Sequence, residues 1–404
     1  MSGYDVVVVG GRVAGAATAL LLARAGARVA VVERSPYGSD TVSTHALMRA
    51  GVMQLRRWGV LDTLVGTGLP PVRRTLFHYA DGETVDVSIR PYAGVDALYA
   101  PRRHTLDRLL VDAAAQAGAD VRHGTSVTEL LRGPDGRVRG VRTVGPDGVR
   151  RDLRAAITVG ADGLRSTVAG QVGAHALRRG RHAGAVLYRY LTDLPAAGYE
   201  WAYGEGATAG LIPTEDGATL AFVATTPDRM RVERRGGTEG AFRRLLLAAA
   251  PALVDRVAAA TPTGHMRGWA GATGHIRQSW GPGWALVGDA GYFKDPATAH
   301  GMTDALRDAD LLATAVLEVL AGGVAEARAM ATYQATRERL SRQFFEATDA
   351  VASFGWDLDE VRVLLRSVNA AMSDEVDHLS GSPVGRERPG SSPNILPDSV
   401  PSAG

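Results

Sequence analysis

The sequence predicts an α/β fold: a parallel sheet wound with helices, a second sheet inserted into it, and helices at the C-terminal end. Three observations predict this. The chain opens with a continuous apolar strand, a glycine turn and an alanine-rich helix. Two later apolar strands, at 156–159 and 284–287, each run straight into a turn that carries an aspartate. Between these points lie stretches of alternating polarity, at 70–100 and 185–225, that read as strands of another sheet.

The elements follow in order. Asp5–Val9 is an unbroken apolar run, the pattern of a parallel strand buried on both faces. Gly10-Gly11-Arg12-Val13-Ala14-Gly15 makes the turn, Ala16–Ala25 the helix, and Gly26 its end. Arg28–Glu33 is the second strand, with an acid at its carboxyl end. A helical pattern runs from Leu47 to Leu64, broken near Gly59, and Arg103–Gly118 is an amphipathic helix. Short strands with Gly-Pro-Asp-Gly and Pro-Asp-Gly turns fill 120–160. Helices are expected over Glu239–Ala259, Gly301–Leu320, Ala325–Val351 and Leu358–Met372. From Ser373 to Gly404 the chain is rich in Ser, Pro, Gly and charge, which predicts a poorly ordered tail.

Composition excludes several kinds of function. Among 404 residues there is no cysteine, so disulfides, Cys-ligated metal and a cysteine nucleophile are out. Ten histidines are scattered without a metal-binding spacing, and no metal is expected. No apolar run reaches the length of a membrane span, and the N-terminus lacks the basic start of a signal peptide, so a cytoplasmic protein is expected. The net charge is only +2, and the arginine pairs are interleaved with acids, which argues against a nucleic-acid partner. Lysine and arginine together number 45, yet Lys294 alone is lysine. A plain solvent-facing role is the expectation for it, with a role beside a bound cofactor as the alternative.

The opening strand–turn–helix–strand–acid arrangement fits a dinucleotide site. Gly10 permits the tight turn, and Gly15 lets the helix approach the strand. Amides of Arg12, Val13 and Ala14 at the helix start face a pyrophosphate. Glu33 accepts from the adenosine ribose, with Arg34 beside it. Arg12 stands where the pattern expects a third glycine, so its guanidinium meets either the phosphates or a neighbouring carbonyl.

Two further motifs extend the site: Gly160-Ala161-Asp162-Gly163-Leu164-Arg165, and Gly288-Asp289-Ala290 followed by Phe293, Asp295-Pro296 and His300-Gly301-Met302. In this order and spacing, over about residues 4–350, the chain resembles the FAD-dependent monooxygenase superfamily typified by p-hydroxybenzoate hydroxylase. It also resembles the related geranylgeranyl-reductase-like flavoproteins and flavin-dependent halogenases. The resemblance implies a Rossmann-like FAD-binding domain from residues 1–69, 98–184 and 270–330, and an inserted β-sheet substrate domain from 70–97 and 185–269. Helices over 331–372 and a disordered tail over 373–404 complete it. It also implies that Asp289 bonds the ribityl chain and that Gly288 allows close approach. Gly301 and Met302 open a helix toward the flavin pyrimidine, Arg49 meets the pyrophosphate, and Arg103 and Asp162 contact FAD.

The implied reaction is monooxygenation: NADH or NADPH reduces FAD, molecular oxygen forms a flavin hydroperoxide, and a small aromatic or polyketide-like molecule is hydroxylated. A separate flavin reductase could be the electron source. The alternative is a reductase or dehydrogenase that moves hydride. A halogenase fits less well, because those enzymes use a lysine in the N-terminal half and a Trp-x-Trp-x-Ile-Pro segment, and this chain has neither. His45, His78, Tyr92, Tyr190, Trp201, Tyr203, Pro296 and His300 are the candidates for the substrate side. The sequence does not define the substrate or the oligomeric state.

Overall fold

The computed structural model describes residues 3–381. The first sheet has a parallel core, in the order Trp284–Leu286, Arg150–Gly160, Tyr4–Val9, Val29–Val32, Asp120–Arg122. Its valines are almost wholly buried, as a strand covered on both faces requires: Val6, Val7 and Val8 have no exposed surface. The strand Arg150–Gly160 serves two partners in sequence. Its first half pairs antiparallel with Val138–Val144, and its second half pairs parallel with the opening strand.

Register decides where this sheet can work. Val9 is level with Val32 and with Gly160, and Gly160 is level with Leu286. Four carboxyl ends therefore finish together, and the segments that leave them are Gly10-Gly11, Glu33, Ala161-Asp162 and Val287-Gly288-Asp289. Motifs separated by more than a hundred residues meet because their strands share one register. The crevice outside such carboxyl ends is the usual binding place in open α/β sheets.

The second sheet has seven strands, in the order Thr261–Trp269, Ala185–Thr192, Thr219–Thr225, Ala207–Pro213, Tyr199–Gly204, Arg74–Tyr79, Thr84–Ser88. Its two faces differ in chemistry. One carries Phe77, Tyr79, Tyr188, Tyr190, Tyr199, Trp201, Tyr203 and Phe222, all buried. The other carries Ala202, Ala207, Ala209, Leu211, Ala221 and Val223, and packs on Phe242, Leu245 and Leu246 of the helix Thr238–Ala249. Small residues bring that helix close: a Cβ on Gly204 would lie 2.0 Å from the carbonyl oxygen of Ala248. A short third sheet joins Ala176–Arg179, His275–Arg277 and Tyr292–Phe293.

Three long helices close the chain: Gly301–Leu320, Glu326–Val351 and Leu358–Ser380. The last one corrects the expected tail. It does not stop at Met372 but continues to Ser380, where Gly381 takes the left-handed conformation. Its buried residues Val361, Leu365, Val368, Met372, Val376 and Leu379 keep one stripe at helical spacing through the charged stretch. Asp357 and Glu360 form a reciprocal capping box at its start. Residues 382–404, the rest of the expected tail, lie outside the described residues. Among the described residues, no helix is long and apolar enough to cross a membrane.

These helices meet on one guanidinium. Arg307 is fully buried, and its nitrogens donate to Asp308 (2.7 and 3.0 Å), Asp304 (3.1 Å), Glu375 (3.0 Å) and Ser341 (3.0 Å). Lys294 pairs with the other oxygen of Asp304 and lies 4.3 Å from the centre of the Phe344 ring. The expectation of a solvent-facing lysine is therefore overturned: its side chain is 3 % exposed. An acid partner and two aromatic faces replace the water that a lysine otherwise keeps.

Removing that guanidinium leaves buried carboxylates without their cation. Arg307→Met should cost about 3–5 kcal/mol of folding free energy, read as a lowered urea midpoint at pH 7. A midpoint equal to that of the parent protein would show that the network is dispensable.

Candidate functional site

The crevice is built from glycines that cannot be replaced without collision. Gly10 has φ +103°, and a Cβ there would lie 2.4 Å from the carbonyl oxygen of Ala161. A Cβ on Gly15 would lie 1.8 Å from the carbonyl oxygen of Gly10, so the helix Val13–Arg24 sits directly on the turn. Gly288, at φ +59°, would bring a Cβ within 2.8 Å of the Ala14 methyl, with the Ala305 methyl at 3.8 Å. At this point the helices Val13–Arg24 and Gly301–Leu320 converge. The first amides of each helix have no intrahelical acceptor, so two positive helix ends face one crevice. Gly301 is exposed there and Met302 is buried beneath it. These features fit the phosphates and ring system of FAD: amides and close-packed glycines supply the approach that bulky side chains would prevent.

Glu33 is buried, and its carboxylate accepts from the amides of Gly11 (2.7 Å) and Ser35 (2.8 Å). Each oxygen keeps a further lone pair for a ribose hydroxyl. Arg34, next to it, is exposed. Arg12 meets the neighbouring carbonyl that was one of the two roles expected for it. Its guanidinium donates to the Ser39 carbonyl (2.9 Å) and pairs with Asp107 (3.0 Å). Arg103 pairs with the same Asp107 at 3.2 Å from one turn away. One buried carboxylate thus holds two arginines at the crevice.

Asp289 is exposed to solvent in the crevice. Protein packed behind it displaces part of its water and pushes its carboxyl up to about 6, against the pull of Arg103 and Lys294. Asp295 is also pushed up, to about 7, by burial. Its oxygens accept from the amides of Gly184 (2.6 Å) and Ala297 (2.9 Å), which fixes the loop that begins at Pro296.

Other expected contacts fall elsewhere. Arg49 does not reach toward the glycine turn. Its guanidinium donates to the carbonyls of Val95 (2.8 Å), Arg90 (2.8 Å) and Tyr92 (3.3 Å), and so ties a loop of 90–95 to the helix Arg49–Arg57. Asp162 spends its carboxylate on Ser166 Oγ (2.5 Å) and on the amides of Thr167 (2.6 Å) and Val168 (3.2 Å), and so secures the start of the helix Thr167–Val172.

The substrate-side candidates separate into groups. Trp201 and Tyr203 project from the aromatic face of the second sheet into a hollow that is open on one side. Met48, Phe77, Ala297, Thr298, Leu365, Val368, Asn369 and Met372 complete its walls. Pro296 opens the short turn that presents Ala297 and Thr298. His300 lines a smaller, adjoining recess with Arg49, Ile89, Leu98, Glu375 and Val376, and Met48 and Met372 wall both. His45 and Tyr190 pair with each other at 2.5 Å, beneath Arg102 at 4.6 Å from the Tyr190 ring. Burial lowers the His45 imidazole to about 3, and its φ of +70° marks a strained loop position.

His78 and Tyr92 are corrections. Alternation along Arg74–Tyr79 turns Phe77 and Tyr79 to the aromatic face and His78 to the other, where it meets Glu200 (3.0 Å). Tyr92 donates to Asp377 on the last helix (2.6 Å). Sequence reasoning missed the lining residues of that helix, Leu365, Val368, Asn369, Met372 and Glu375, and also Met48, Phe77, Ala297 and Thr298. The apolar spacing of Leu365, Val368 and Met372 marked a packed face but not what it packs against. His300, Asp304 and Glu375 bring donor atoms within 4.8 Å of one another, but Arg307 and Lys294 already balance the carboxylates, so a divalent ion would sit against two buried cations.

Comparison with known proteins gives the same setting. A family model described as an FAD binding domain matches residues 3–348. Aklavinone 12-hydroxylase DnrF of Streptomyces peucetius is 30% identical over 378 residues, covering 86% of this chain and 74% of its own. Digeranylgeranylglycerophospholipid reductase 1 of Methanopyrus kandleri is 25% identical over 393 residues, covering 90% and 94%. The crystal structure of PqsL, a probable FAD-dependent monooxygenase of Pseudomonas aeruginosa, superposes with a TM-score of 0.75 at 23% identity, covering 90% of this chain and 100% of its own.

Asp289 generates a pH prediction. Its carboxyl has a higher pKa in the folded chain than unfolded, so the folded state holds more protons between about pH 4 and 6. Stability therefore falls as pH rises through that window. Asp289→Asn should remove this decline in the FAD-free protein, raising its melting temperature at pH 7 but not at pH 4, while flavin retention drops. An unchanged pH–stability curve would rule out the strained carboxyl.

Proposed function

The chain belongs to the FAD binding domain family, and on that premise we propose that this FAD-dependent oxidoreductase is a monooxygenase that hydroxylates a flat, largely apolar aromatic molecule of the polyketide kind. NADH or NADPH supplies the electrons and molecular oxygen the inserted atom. Bound FAD provides the redox chemistry; the residues of this chain hold it, place the substrate and exclude water.

The observation that carries this reading is the cavity bounded by Trp201, Tyr203 and the 297–298 loop. The loop belongs to the same segment as Asp289 and Gly301, so a molecule in the cavity lies beside the crevice that fits the cofactor. Trp201 and Phe77 offer ring faces, while Met48, Met372, Leu365 and Val368 supply adaptable apolar walls. Polar groups are few, as in most small-molecule sites. The relative named for hydroxylation of aklavinone supports the same substrate class.

A second reading is hydride transfer to or from an alkene. The match to the phospholipid reductase, which covers most of both chains, favours it. Oxygen separates the two. With a panel of fused-ring phenols, NAD(P)H oxidation should place label from ¹⁸O₂ in the product. Turnover that continues without oxygen and leaves the product unlabelled would establish the reductase instead.

The cavity wall offers a further check. Trp201→Ala removes one aromatic contact, and KM for such a substrate should rise about 3–10-fold with little change in kcat. A KM equal to that of the parent enzyme would place the substrate elsewhere.

A further inference from the structure

Two side chains, Asn369 in the cavity and His300 in the recess beside it, keep acceptor atoms without partners. His300 Nδ1 and Asn369 Oδ1 make no hydrogen bond, although both residues are more than nine-tenths buried. A buried polar atom left alone is costly, and a ligand is the ordinary remedy.

The His300 ring has only one arrangement open to it. Glu375 is a carboxylate, because Arg307 holds its Oε1 at 3.0 Å. Its Oε2 stands 2.7 Å from His300 Nε2, so that nitrogen carries the proton and donates. Burial disfavours a second proton, and so do Arg307 and Lys294 nearby, against the attraction of Glu375, Asp304 and Asp308. Nδ1 is left with a lone pair. The ring cannot turn to offer its N–H instead, because it packs edge-on to Phe344 at 4.5 Å and would lose the bond to Glu375.

We propose that the His300–Glu375 pair, in the recess that adjoins the substrate cavity across Met48 and Met372, is its specificity element, selecting substrates whose edge presents a hydroxyl or amine hydrogen to Nδ1. The proposal rests on the reading of the cavity as the substrate site and names the group it recognises. His300 accepts from the substrate O–H or N–H; Glu375 is a positioning residue that locks the tautomer. Arg307 in turn keeps Glu375 ionised. An O-methylated analogue brings no hydrogen and leaves Nδ1 alone against a methyl group. Sites built to bond a buried hydroxyl reject analogues that lack it far more strongly than apolar pockets reject a missing methylene.

The test uses three probes with the FAD-loaded full-length protein: 2-hydroxyanthraquinone, 2-aminoanthraquinone and 2-methoxyanthraquinone, with binding followed by the change in flavin absorbance. The hydroxy and amino probes should bind at least about 10-fold more tightly than the methoxy probe. In His300→Phe, which keeps an aromatic ring but no acceptor, the preference should shrink below about 3-fold. Glu375→Gln should weaken the preference without abolishing binding. Equal affinity for all three probes in the parent protein overturns the proposal and leaves the cavity reading intact. A preference that survives in His300→Phe overturns it as well. No binding by any probe overturns both the proposal and the cavity reading beneath it. If His300→Phe fails to fold, Asn369→Leu decides: the preference should persist there, and its loss would assign the recognition to Asn369 Oδ1 and overturn the proposal.

Discussion

A guanidinium without water must have its donors matched, and Arg307 meets that demand with groups from three helices. Asp304 and Asp308 lie on its own helix, Ser341 on the next and Glu375 on the last. The pairing fixes how these helices sit on one another. Through Asp304 it also fixes Lys294, and with it the loop that leaves the first sheet at Gly288. Through Glu375 it fixes the final helix, which walls the cavity. Crevice and cavity are therefore held in one frame by a polar cluster, although each is lined mainly by glycines or apolar side chains. An apolar core would tolerate sliding between helices; directed hydrogen bonds do not.

The crevice shows the opposite balance. Gly10, Gly15 and Gly288 make room at the expense of backbone freedom in the unfolded chain. Side chains in their places would collide with Ala161, with the Gly10 carbonyl and with Ala14, so the fold and the crevice depend on the same three residues. Arg12 shows how a departure from the usual glycine pattern is absorbed: its side chain turns away from the crevice mouth to Ser39 and Asp107.

Local chemistry made the first sheet legible. A valine run, a glycine turn and an acid at a strand end each have one structural use, and their order along the chain places them in one fold. The helix Gly301–Leu320 could be read to its ends for the same reason. The final helix could not be followed past Met372, because Ser373, Asp374, Glu375, Asp377 and His378 look solvated. Glu375 is polar for a partner 68 residues away in sequence, and composition cannot see that. Arg49 and Asp162 matched a pattern of residue types, and that pattern does not foretell their partners within the chain: carbonyls of 90–95 for Arg49, and Ser166 with two amides of the next helix for Asp162. Trp201 and Tyr203 were found as aromatics in a strand, and only the pairing of that strand beside Arg74–Tyr79 shows which face they share with Phe77. His78 was lost by the same alternation.

The helix that completes the cavity spans Leu358–Ser380, after every segment that lines the cofactor crevice. A ribosome releases the chain from the N-terminus, and units fold as they emerge. All strands of both sheets and both helix ends that face the cofactor are present before Leu358 is made. The crevice is thus framed while the neighbouring chamber still lacks a wall, and that wall comes with the last helix. Assembly imposes an order in which the place of the cofactor takes shape before that of the second molecule.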